Sequence, residues 1–139
     1  MSNIPQVDVP TILADDGVSK SIFDQSNIQI SNILNIISSM PSDSSWSYTL
    51  VDSPSNSATL IAQLEGEGNR RHFHPDWDEW WLILQGSWAW EINGEVNTVN
   101  PFDLVFIKRN SVHKITSLHE GLSIRLAVSR YDVVHDYDC

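Results

Sequence analysis

Basic residues and sulfur are both scarce in this chain. Only 8 of its 139 residues are Lys or Arg, against 18 acidic ones, for a formal charge of -10. No basic stripe exists to neutralise phosphates, which argues against a nucleic-acid partner. An anionic membrane surface is equally unsuited to so acidic a chain. The single cysteine, Cys139, is the last residue. An internal disulfide and a cysteine-rich metal site are therefore excluded, and a reducing compartment is suited. No basic region followed by an apolar run opens the chain, so no secretory signal is expected. No window approaches the roughly 20 apolar residues of a membrane span. The expected setting is cytoplasmic. Neither a serine or cysteine nucleophile system nor a phosphate-cradling glycine loop is found.

What is present fits one domain. Residues 1–18 are polar and Pro-containing and predict an extended arm. From Ser19 to Ser39, Ile22, Phe23, Ile30, Ile33, Leu34 and Ile37 recur at roughly helical spacing. Helix is favoured there, although Ile28 and Ile30 would equally suit a strand. Pro41–Ser45 breaks that segment. Short strands follow: Trp46–Asp52, Ala58–Leu64, Arg70–His74, Glu79–Gln85, Ser87–Ile92, Glu95–Val99, Leu104–Ile107, His113–Ser117 and Leu122–Arg130. Asn93-Gly94 predicts a tight two-residue hairpin. Strands at this pitch predict an all-β antiparallel barrel or sandwich. The expected organisation is an N-terminal arm or helix over 1–45, a barrel over 46–130 and a tail over 131–139. Trp80-Trp81-Leu82-Ile83-Leu84 is apolar on both faces, so its second face must be covered. The N-terminal segment or a second subunit would do this, and a homodimer is favoured.

The densest chemistry lies between Gly66 and Gly86. His72 and His74 are two apart, so a strand projects both to one side. Glu79 follows the Pro75–Asp78 turn on a returning strand, and His113 opens a later one. Three imidazoles and a carboxylate make a set for one divalent transition metal: Fe(II), Mn, Ni, Cu or Zn. Such a site leaves positions open for water, substrate or dioxygen. His119 and His135 are read instead as hydrogen-bonded or surface residues.

The same stretch resembles the first motif of the cupin superfamily, glycine–five–His-x-His–three or four–Glu–six–glycine, carried here by Gly66, His72, His74, Glu79 and Gly86. The second motif is matched in part over Phe102–His113. Phe102 stands for its first glycine, Lys108 for its proline, Asn110 for its second glycine and Ser117 for its final asparagine. Asn110 tolerates the left-handed turn a glycine would supply. The resemblance covers about residues 46–130. It implies a jelly-roll barrel, usually dimeric, with a metal on His72, His74, Glu79 and His113. It implies no single reaction.

Other residues suggest a pocket. Six tryptophans is a high count, and Trp88 and Trp90 share a face with Ile92. If that face is inward, they form an aromatic slot with Trp81 for a flat, apolar or sugar-like ligand. Arg70 is expected to face inward and hold a substrate oxyanion. Arg125 alternates with Leu122, Ile124, Leu126 and Val128 and is expected to face outward. Lys108 is expected to be a solvated loop residue. The favoured function is a metal-dependent enzyme on a small molecule, first an Fe(II) dioxygenase. A lyase or isomerase, or a non-catalytic binding cupin, is the alternative.

Overall fold

A strand that buries both faces needs cover on each side, and two sheets with a helix behind one of them supply it. The computed structural model describes residues 2–3, 9–75, 77–129 and 136–137. Their elements are β1 (Ser2–Asn3), α1 (Val9–Asp15), β2 (Ser21–Ile22), α2 (Ile33–Ser39), β3 (Trp46–Asp52), β4 (Ser57–Gln63), β5 (His72–Phe73) and β6 (Glu79–Gln85). There follow β7 (Trp88–Ile92), β8 (Glu95–Val99), β9 (Leu104–Ile107), β10 (His113–Ser117), β11 (Ser123–Ser129) and β12 (Asp136–Tyr137). One sheet has the order β1-β12-β5-β10-β7-β8 and the other β2-β3-β4-β11-β6-β9. All ladders are antiparallel except β2 with β3. This is an all-β jelly roll, as expected. It is built as two facing sheets, with no ladder among the described residues closing one onto the other.

Between the sheets lies a core of Trp81, Ile83, Trp88, Trp90, Val105, Ile107 and Ile115. A second core covers the outer face of the β3-β4-β11 sheet, where Ile33, Ile36 and Ile37 of α2 pack on Trp46, Leu60 and Ile124. Leu84, on the outer side of β6, belongs to that cluster. Trp80, Leu104 and Phe106 stay exposed, with Trp80 paired to Phe106 across the β6–β9 ladder. The N-terminal segment thus covers one end of β6 and leaves the other open.

The Asn93-Gly94 hairpin forms as expected, both residues having positive φ (49° and 87°), and sets Ile92 opposite Glu95. The Ser19–Ser39 expectation is corrected. Only Ile33–Ser39 is helical, begun by Asn32, whose side chain accepts from the Asn35 N–H at 3.0 Å. Before it, Asn27 turns the chain at φ 67°, and Ser21–Ile22 pairs with β3. The β-branched residues there serve a strand better than a helix. The extended arm expected over 1–18 is corrected at residues 9–15, since Val9–Asp15 is helical and Ile12 and Leu13 are buried. His135, Cys139 and the greater part of the 131–139 tail lie outside the described residues.

Candidate metal centre

Backbone pairing brings the four expected ligands together. β10 is registered on β5 so that His113 stands directly opposite His72, their ring centroids 4.2 Å apart. His74 lies just beyond β5, its ring 4.8 Å from that of His72. Glu79 opens β6 in the facing sheet, and its Oε1 meets His74 Nε2. His113 Nε2 is 3.9 Å from the same oxygen, too far for a hydrogen bond, and has no hydrogen-bond partner among the described residues. All four residues are buried, and their candidate donor atoms lie within 4.8 Å of one another.

The imidazoles are oriented from behind. His72 Nδ1 lies 2.6 Å from the carbonyl of Arg70, and His113 Nδ1 lies 3.1 Å from the carbonyl of Ser111. A carbonyl only accepts, so this network assigns the proton to Nδ1 and turns the Nε2 lone pair inward. Burial pushes the His113 pKa down, against an opposing pull from Glu79, and favours the neutral ring. Neutral imidazoles held at Nδ1 beside a carboxylate are what a transition metal requires. The four side chains fit a divalent ion: their inward atoms are buried, close together and of the right donor types.

A cavity of about 60 Å³ adjoins the group, bordered by His72, His74, Glu79, Trp81, Asp16 and Arg125 among others. That space holds roughly four waters. Trp81 lies where expected. Trp88 and Trp90 do face inward, but both are fully buried in the core, away from the cavity wall. The expected aromatic slot is thus reduced to Trp81.

Arg70 is corrected. Its side chain is 54% exposed and its Nε lies 3.3 Å from Asp16 Oδ1, outside the cavity lining. Strand β5 starts only at His72, so alternation does not extend back to residue 70. Arg125 is corrected in the opposite sense: it is fully buried and lines the cavity. Its Nη1 donates to Gln63 Oε1 at 2.7 Å, and its guanidinium lies 4.5 Å from the Trp88 ring centre. Burial lowers its pKa to about 9, opposed by Asp16 and Glu79. Asp16 is the residue no motif announced. Burial raises its carboxyl pKa, against the pull of Arg70 and Arg125. The available signal was polar alternation on two paired strands, Ser57-Thr59-Gln63 and Ser123-Arg125-Ser129, which marks a polar interior. Lys108 and His119 are exposed, as expected.

A family model described as a cupin domain matches residues 60–129. Among solved structures, KdgF from Halomonas sp. is 23% identical with a TM-score of 0.54, covering 62% of this chain and 79% of that one. The polyketide cyclase RemF from Streptomyces resistomycificus is 20% identical with a TM-score of 0.59, covering 67% and 70%. A cupin superfamily protein from Desulfitobacterium hafniense is 18% identical with a TM-score of 0.63, covering 78% and 96%. At such identities these likenesses establish the fold alone. No protein of curated function matches the sequence.

Proposed function

The chain belongs to the cupin family, and we propose that it is an enzyme using one divalent transition metal, Fe(II) in the first instance, to act on a small molecule as a dioxygenase. The observation that carries this is the buried group of His72, His74, Glu79 and His113 beside a cavity that His72, His74 and Glu79 help to line. Such an ion, when bound, supplies Lewis acidity and, as iron, a route to dioxygen activation. The chain's own residues do the rest. The Arg70 and Ser111 carbonyls hold two imidazoles in one tautomer. Trp81, Ile61 and Ala127 supply the apolar part of the cavity lining, which reduces the water around the reacting atoms. Oxygen uptake by the Fe(II)-reconstituted protein against a panel of small acids, sugars and phenols tests this reading. Consumption of oxygen in step with one substrate supports it, and turnover under argon removes it.

Asp16 favours a second reading. A carboxyl with a raised pKa on the cavity wall suits proton transfer, as lyase or isomerase chemistry needs. In that case turnover is independent of oxygen and is lost in Asp16→Asn. The proposed assembly is a homodimer with the Trp80–Phe106 face as its seam.

A further inference from the structure

We propose that Arg125 anchors a carboxylate of the substrate, which makes small monoanionic organic acids the ligand class of this cavity. The inference deepens the functional reading above and relies on it only for what faces the acid's other end.

A guanidinium removed from water is costly unless its charge is met. Arg125 is 1% exposed, and neither neighbour that holds it carries charge: Gln63 accepts one N–H and Trp88 offers its ring face. Its Nε–H is buried with no hydrogen-bond partner among the described residues. The two carboxylates on the cavity wall are engaged elsewhere, Asp16 by Arg70 at 3.3 Å and Glu79 by His74. Burial lowers the arginine to about 9, so it is still a cation at neutral pH. A fixed positive charge with an unanswered donor on a cavity wall is a site for an oxyanion.

The setting narrows the class. Ile61, Trp81 and Ala127 make much of the lining apolar, with the short hydroxyls of Ser57, Thr59 and Ser129 set among them. A phosphate dianion needs several donors around it, whereas a carboxylate on an apolar body asks for one strong donor and dry contact. With Asp16 paired to Arg70 and Glu79 turned to the metal group, Arg125 brings one positive charge of its own, which the single charge of a carboxylate meets.

The test uses the full-length protein loaded with Zn(II), its metal content measured, with pyruvate and its neutral analogue pyruvamide as probes. Calorimetry is expected to show pyruvate binding roughly 10- to 100-fold more tightly, the range of one charge-assisted hydrogen bond. Arg125→Met abolishes that preference, and Arg125→Lys retains part of it. To keep the test independent of the fold of Arg125→Met, the Arg125 Nε–H resonance of the unsubstituted protein is followed as well. It moves downfield with pyruvate and stays in place with pyruvamide. Equal affinities for the two probes, or an unmoved resonance in metal-loaded protein, overturn the proposal. A protein that takes up no Zn(II) fails the metal reading instead. The same resonance, followed with acetate in that metal-free protein, then decides the role of Arg125 separately.

Discussion

Phe102 adopts φ 70°, a conformation that costs a side-chain-bearing residue about 1–2 kcal/mol, and its ring is exposed. Its N–H donates to the Ile83 carbonyl at 2.7 Å, a bond that glycine would keep. Phe102→Gly is therefore expected to stabilise the chain by up to about 1 kcal/mol, part of the relief being offset by glycine's freedom when unfolded. Urea unfolding checks it, and any destabilisation contradicts it. Asn110, at φ 67°, fills the second vacated glycine position with a residue that tolerates it. Gly86 is the opposite case. At φ 74° an added Cβ would stand 2.1 Å from Ser123 Oγ and 2.9 Å from the Ser123 backbone Cα. Gly86→Ala should cost roughly 2–5 kcal/mol in the same assay. Asp16 gives a pH signature. Its folded pKa is raised above 3.8, so the native chain holds its proton longer than the unfolded chain. That stability is present below pH 3.8 and is lost as pH rises through the folded value. The stability difference between Asp16→Asn and the parent should shift in the variant's favour across that interval. A pH-independent difference would refute it.

At the scale of elements, what was legible depended on whether local periodicity matched the final burial. Strands β3, β6, β8, β9 and β10 fall where alternation and turns put them, and the Asn93-Gly94 hairpin sets its own register. Arg125 departs from its expected place because local alternation alone marks its apolar neighbours as the inner face. In the fold Ile124 and Leu126 face α2, and the polar side of β11 faces the cavity. The packing of an isoleucine-rich helix on the outer face is a tertiary fact that no window of β11 contains. Arg70 failed for a simpler reason, the shortness of β5. The doubly apolar run of β6 was informative, since Trp80 stays partly exposed opposite Phe106. If a second copy covers that face, sedimentation gives a dimer and Trp80→Glu shifts it toward monomer with its β-rich circular dichroism intact. A monomeric parent protein rules out this seam.

The molecule as a whole places three imidazoles from one sheet side opposite a carboxylate from the other, so the centre exists only once the two sheets face each other. Three of its ligands were legible because their spacing is local and His113 because its segment resembles a second motif, while Asp16, Arg125 and the Gln63 that holds it come from distant segments. An ion at 1,000 times its dissociation constant adds about 4 kcal/mol to folding. For a chain of this size that corresponds to a rise in Tm of roughly 8–16 °C, lost on chelation. The most direct measurement is anaerobic equilibrium dialysis against Co(II), with elemental analysis of the parent and His113→Ala. One ion per chain is expected, with affinity in the variant lower by at least about 100-fold, more than the loss of a merely supporting group costs. Metal uptake that is absent, or that is unchanged when His113 is removed, would contradict a centre built on these four side chains.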